Sequence, residues 1–549
     1  MAATAVAQAP KAVTQAKKAV FSVITYDNND KIIGSGNGFF ISPKGDGVSD
    51  YTLFKGAKKA VVVDADGKQH TVDCILGANE MYDVVKFRIK AEKSVPALTL
   101  ETTAAAKGAT LYLLPYSTQK QATPQSAQVS EVSDIDNGDK YYTLALATTD
   151  KMVNCPVVND KGNAVGMIQK GGSEKEPKSY ALGASYVARL TMTALSGNDY
   201  ALNSIGIKKG FPEQEDQALV YLYMLSGSVT AEEYLQRLDD FLAEFPNSAD
   251  GYFRRASANI SLYKDETHFA AAEKDIEKAL SLTKQKDNML YDLSKVYLEA
   301  GFSGFTYKDW NADKALATIK EAIDINPSPV YVQQQGDILF ATEKYDEAFT
   351  CYTTVNQSEV KSETSLYSAA QCKDKLGQKE EALALMDSTV NFFGTPLPAK
   401  AAPYLLGRAQ LKTNLKMYRQ AVADYNEYEK LVNGRANAAF YFLREQNELE
   451  VRMNQQALDD IKKAVELEPQ EPLYLMELTS LHIKFNQLDE AIATAKKGIE
   501  LDSNNADFYR MLGYCQAQTG QKAEGKANLL KAKEKGDPNA ESLIEKFCK

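Results

Sequence analysis

Asn486-Gln-Leu-Asp489-Glu490-Ala491-Ile-Ala-Thr-Ala495 is one instance of a pattern that repeats from Ala272 to the C-terminus. A small residue sits inside an acidic or amide-rich helix start at Ala272, Ala315, Ala348, Ala382, Ala421, Ala457, Ala491 and Gly525. The spacings are 43, 33, 34, 39, 36, 34 and 34 residues, a 34-residue period with insertions. Four positions later comes a bulky residue: Ile276, Ile319, Tyr352, Met386, Tyr425, Ile461 and, in the last unit, Leu529. Apolar residues recur at i, i+3, i+4 and i+7, the signature of one buried helix face. Pro327 and Pro469 stop two of these helices, each twelve positions after its small residue. A small residue at fixed phase lets two antiparallel helices approach closely, and each hairpin buries its face only against its neighbours.

Working outward, an earlier hairpin at 217–225 and 231–245, ending at Pro246, reads as a degenerate first unit. A helix at 540–548 reads as a cap over the last exposed apolar face. The longest insertion, 301–310, carries the only tryptophan, Trp310. The whole resembles the tetratricopeptide repeat, and Asp346-Glu347-Ala348, Asp489-Glu490-Ala491 and Leu512-Gly513 match that family's motif. The resemblance implies an all-α superhelix over 214–549 whose concave face binds extended or helical protein segments. The lining positions it implies are Gln333, Asp337, Tyr367, Gln371, Met476, Ser480, Arg510 and Tyr514, with Trp310 projecting as a further contact. These lack the Lys/Asn/Arg set with which some relatives clamp a C-terminal carboxylate, so a chaperone tail is a poor ligand.

Before residue 200 the chain has a different character. Short β-branched and aromatic runs (19–26, 38–41, 59–64, 70–76, 84–89, 110–114 and 141–147) are broken by Gly, Asp-Gly and Asn-Gly turns. Many short strands with such turns indicate an all-β barrel or sandwich. The expected division is a flexible tail over 1–19, a β domain over 20–195, a linker over 196–213 and helical repeats thereafter.

Gly34-Ser-Gly-Asn-Gly-Phe-Phe-Ile-Ser-Pro-Lys-Gly45 resembles the opening of trypsin-like serine peptidases of the bacterial Deg type. Ser49–Ala57 is similar to the segment that carries their catalytic histidine, and Thr52 stands at that position. Asn79–Phe87 is similar to the segment of the catalytic aspartate, retained here as Asp83. In Lys151–Gly166, Pro156 and Gly166 anchor the nucleophile block and put Val153 at the serine, with Lys151, Asn154 and Cys155 replacing glycines. The resemblance implies a two-barrel fold with a collapsed or blocked cleft. A serine peptidase needs a hydroxyl nucleophile, an imidazole to move its proton and a carboxylate to orient that imidazole. Valine has no nucleophilic atom, and threonine is no base near neutral pH. Without its histidine, Asp83 reads as a structural acceptor and Cys155 as a buried, inert thiol.

Composition narrows the partners. The 549 residues are 44% hydrophobic and 25% charged, with a net charge of −10, which argues against a nucleic-acid or anionic-membrane surface. No apolar run reaches the ~18–20 residues of a membrane span. Three histidines and six scattered cysteines (74, 155, 351, 372, 515 and 548), with no C-x-x-C, give neither a metal nor a disulfide framework; at most Cys515 pairs with Cys548. No cofactor is expected. Ala5-Val6-Ala7 has the form of a signal-peptidase site, so the chain is read as exported, periplasmic or extracellular. The function expected is a non-catalytic interaction scaffold of the cell envelope, a pseudopeptidase joined to a protein-binding repeat array. The alternatives are a hydrolase with an atypical site in the β domain and a sensor that holds an extended peptide by strand addition.

Overall fold

In the computed structural model, which describes residues 9–117, 123–169, 171 and 178–548, the β-branched runs become two closed barrels. Strands β1 (Val20–Tyr26), β2 (Ile32–Phe40), β3 (Asp46–Ser49), β4 (Lys59–Val63), β5 (Gln69–Asn79) and β6 (Val84–Ile89) close in the order β1-β2-β3-β6-β5-β4. Strands β7 (Thr110–Leu113), β8 (Gln125–Asp134), β9 (Lys140–Leu144), β10 (Pro156–Val158), β11 (Ala164–Gln169) and β12 (Ser179–Gly183) close as β7-β8-β9-β12-β11-β10. The second barrel therefore repeats the topology of the first, as a trypsin-like fold requires.

The glycines of β2 are a packing requirement. A Cβ on Gly38 would stand 2.2 Å from the Val48 carbonyl oxygen and 2.5 Å from the Phe21 ring; one on Gly36 would stand 2.4 Å from Leu53. That close approach lets Phe21 sit 4.6 Å from Phe40 and 5.8 Å from Phe87, ring centre to ring centre, at the heart of the first barrel.

Two stretches expected at the periphery are integral to the core. Residues 1–8 lie outside the described residues, but helix Lys11–Ala16 follows and buries Val13 among Val20, Leu114, Val158 and Leu182 between the barrels. The expected linker is annealed to the first barrel. Ile75 N–H donates to the Lys208 carbonyl at 2.8 Å, Gly210 N–H to the Ile75 carbonyl at 2.8 Å, and Gly206 N–H to the Ala57 carbonyl at 2.7 Å. Ile205, Ile207 and Phe211 join one apolar cluster with Phe87 and Ile75 of the barrel and with Tyr221, Leu222, Leu238 and Phe241 of helices Glu215–Leu225 and Ala231–Glu244. The change of composition near residue 200 is thus not a boundary in the core. By compactness the chain divides later, into Met1–Lys284 and Gln285–Lys549.

The rest is helical hairpins, from Ala249–Leu262 with Glu266–Leu282 through to Ala506–Gln518 with Lys522–Glu534, closed by Ala540–Phe547. Ala272, Ala315, Ala348, Ala382, Ala421, Ala457 and Ala491 are fully buried, as the pattern predicts. Five residues before the small residue, six hairpins carry a left-handed residue: Glu343, Gly377, Lys416, Arg452, Asn486 and Gly520. Each closes the same turn, the next N–H donating to the carbonyl five positions back in the helix, as in Lys344 to Leu339 (2.9 Å) and Met453 to Glu448 (2.8 Å).

A second device recurs. Arg255, Arg408 and Arg444 each grip an aspartate on the partner helix of their hairpin with two N–H groups, at 2.6–2.8 Å from Asp275, Asp424 and Asp460. Each also reaches a carboxylate on the preceding helix: Asp239, Asp387 and Glu429. The planar guanidinium suits this because its five donors leave in fixed directions.

Trp310 does not project as a contact point. It is buried, set edge-on to Tyr297 and Tyr307 at 5.1 Å each, so its insertion packs on its own hairpin. All six cysteines are free, so Cys515 and Cys548 are not joined.

Candidate functional site

Helix Tyr51–Phe54 begins at Asp50, whose carboxylate accepts from Leu53 N–H at 2.9 Å and so fixes where residue 52 points. Asp83 lies in the β5–β6 turn with a φ of +47°. The two positions meet: Thr52 donates to one Asp83 oxygen, Oδ1, from its backbone N–H at 2.8 Å and from its hydroxyl at 2.9 Å. One Asp83 oxygen thus takes both an N–H and a hydroxyl from residue 52.

Val153 follows a single 3₁₀ turn, Asp150–Met152. Its N–H folds back on the Asp150 carbonyl at 3.4 Å rather than facing outward. Asn37 of β2 donates to both the Lys151 carbonyl (3.0 Å) and the Val153 carbonyl (3.2 Å), pinning the segment to the other barrel. Next, Asn154 adopts a left-handed φ of +67°, is buried, and donates from Nδ2 to Asp50 Oδ2 at 2.7 Å. Burial pushes the Asp50 carboxyl up, outweighing the Asn154 and Leu53 donors that pull it down. The Asp50–Asn154 bond therefore joins the Thr52 helix to the Val153 loop. No motif in the sequence announces it.

Cys155 is fully buried and its thiol is pushed up to about 12 by burial, so it stays protonated at neutral pH. Each histidine is engaged elsewhere: His70 with Asp64 at 2.9 Å, His268 with Asp265 at 2.8 Å, and His482 with Gln487 at 2.7 Å. Among the described residues no cluster of three or more His, Cys, Asp or Glu could hold a metal ion, and no helix is long and apolar enough to cross a membrane.

The expected partner-binding residues separate into two groups. Tyr367 and Gln371 line a cleft of about 150 Å³ with Asp374, Met386, Gln410 and Asn414, floored where Gly407 has no side chain. The others are occupied or half-buried. Asp337 accepts from Gln333 (3.0 Å) and Tyr352 (2.8 Å), and burial holds its carboxyl above the usual range. Arg510 pairs with Asp507 and with the buried Asp537, while Tyr514 stands edge-on to Phe547 of the last helix at 5.4 Å. Met476 and Ser480 are half-buried on helix Pro472–Lys484.

Comparison with known proteins matches residues 36–167, about a quarter of the chain, to the trypsin-like peptidase domain. No curated protein matches the chain. Among solved structures, the active form of the Rv3671c protease from M. tuberculosis is 18% identical, with 32% of this chain and 81% of that one covered and a TM-score of 0.28. Its inactive form is 19% identical, with 32% and 89% covered and a TM-score of 0.27.

Proposed function

From a trypsin-like peptidase domain whose decisive positions are Thr52 and Val153, we propose a non-catalytic scaffold that binds protein through its helical repeats. The observation that carries this reading is the occupied Asp83: its orienting oxygen is spent on Thr52, and no imidazole shares the site. Val153 offers no nucleophile, and the buried Cys155 offers no thiolate.

The helical half is read as a tetratricopeptide array because buried small residues and left-handed turns keep one phase through it. Its ligand is a protein segment held on the first helices of successive hairpins, where Tyr367 and Gln371 line an open cleft. The compartment proposed is the cell envelope, and fractionation that left the native chain in the cytoplasm would overturn it. Function is tested by fluorophosphonate titration and by capture from an envelope fraction. No acylation together with a stoichiometric protein partner, lost on Tyr367→Ala, supports the reading; stoichiometric acylation refutes it.

A further inference from the structure

Helix Ala438–Glu450 carries two carboxyls where its relatives in the array carry none. Counting by the repeat, Glu445 falls at the position of Gly336, Ala370, Ala409, Thr479 and Gly513, the seam where a hairpin's two helices touch. That seam is tight: a Cβ on Gly513 would stand 2.8 Å from the Gly525 carbonyl oxygen. Glu445 is fully buried and Glu448, one turn on, is 3% exposed. Both oxygens of Glu445 and Oε2 of Glu448 have no hydrogen-bond partner among the described residues.

The nearest cation is mostly spent elsewhere. Arg444 spends its donors on Asp460 (2.6 and 2.8 Å), Glu429 (2.6 Å) and Asn426 (2.9 Å), and its Nε lies 3.9 Å from Glu448. The remaining surroundings are mostly acidic. Helix Asn454–Leu467 contributes Asp459 and Asp460, helix Tyr418–Leu431 contributes Glu429, and helix Pro472–Lys484 contributes Glu477 with the exposed Lys484. From helix Ala402–Asn414 comes Lys412, whose ammonium is held by Asp424 at 2.7 Å. Burial first, then these carboxylates, pushes both glutamates up to about 8. Among the described residues no third ligand is in place for a metal ion, so a proton is the occupant that fits.

We propose that Glu445 and Glu448 make the hairpin at 438–467 a proton-operated joint of the array, closed when both carboxyls are protonated and loosened when they ionise. Folding then takes up protons wherever the folded carboxyls hold them and the unfolded ones do not. Stability from this joint is full below the ordinary glutamate range, falls as the pH rises toward about 8, and is level beyond it.

The test is thermal melting of the full chain from pH 5 to pH 9, with amide exchange over 438–450 corrected for intrinsic rate. The wild-type helix should lose protection as the pH rises, while Glu445→Gln with Glu448→Gln should flatten that loss. Glu445→Thr, which restores the residue of the next repeat, should remove about half of it even if the double variant folds poorly. Equal pH slopes in wild type and variants would overturn the proposal. So would a protection at pH 8.5 that millimolar Mg²⁺ or Ca²⁺ restores in the wild type alone, because the oxygens would then hold a cation.

Discussion

Thr52 gives two hydrogen bonds to a single oxygen of Asp83, one from its backbone N–H and one from its hydroxyl, and so ties the helix at 51–54 to the β5–β6 turn. The bond pair also supports a turn that leaves Asp83 in the left-handed region.

The pair should be structural. Asp83→Ala would lose both bonds and retain a strained φ, so a loss of about 1–3 kcal/mol is expected by denaturant unfolding. Asp83→Asn keeps an acceptor and tolerates that φ, and should lose clearly less.

Restoring the missing groups should not restore turnover. In Thr52→His with Val153→Ser the loop would still be held by Asn37, and the N–H of residue 153 would still point at the Asp150 carbonyl. An oxyanion donor that is not aimed loses ~2.7–4 kcal/mol of transition-state stabilisation. Active-site titration should give well below one equivalent; a full equivalent would show that the loop re-forms the hole unaided.

Four of the six hairpin turns that share a phase use a residue with a side chain where glycine is easier. Arg452→Gly and Lys416→Gly should each stabilise the array by about 0.5–1 kcal/mol, the left-handed strain less the added chain entropy of glycine. Gly377→Ala should do the reverse by a similar amount. Calorimetry of the three variants separates turn strain from packing, since a Cβ at Gly377 meets nothing within 4 Å.

Removing one Arg444 side chain should be costly. Arg444→Ala strands the buried Asp460 and deprives Glu429 of its cation, at about 3–5 kcal/mol for a broken buried pair. Arg444→Met with Asp460→Leu removes both buried charges and should recover most of it. A double variant no more stable than Arg444→Ala would mean that the guanidinium acts mainly by packing on Phe440, 5.0 Å from its ring.

Cutting at the compositional boundary should fail. A fragment of 214–549 would leave Tyr221, Leu222 and Phe241 without Phe211 and the barrel residues that cover them. It is expected to aggregate, whereas 1–284 stays soluble; sedimentation of the two fragments decides.

The sequence showed most where the physics is local. Helix period and small-residue phase are set by neighbours three and four apart, so the hairpins could be counted from Ala272 onward. Thr52, Asp83 and Val153 were placed by nearby Gly, Pro and Asp anchors, and the fold brings Thr52 and Asp83 into contact. Long-range pairings were illegible: nothing in 205–211 marks it as the partner of Ile75, and nothing at Asn154 names Asp50 across 104 positions. The place of Trp310 is not legible either, because an aromatic-rich insertion looks the same whether it projects or folds back. Glu445 gives no signal of its own, because its oddity exists only by comparison with Ala409, Thr479 and Gly513.

The core shared by the first barrel and the 215–244 hairpin also sets an order of events during synthesis. Strand β6 ends at Ile89, yet Phe241 and Leu242, which pack into that core, leave the ribosome about 150 residues later. At ordinary elongation rates that is a wait of roughly eight to thirty seconds. During it, the surface of the first barrel destined for Phe211 and Phe241 stays uncovered while the second barrel has already been made. The earliest-made barrel is therefore completed only after the second barrel has been made, and a chaperone that shields nascent apolar surface would find its opening there.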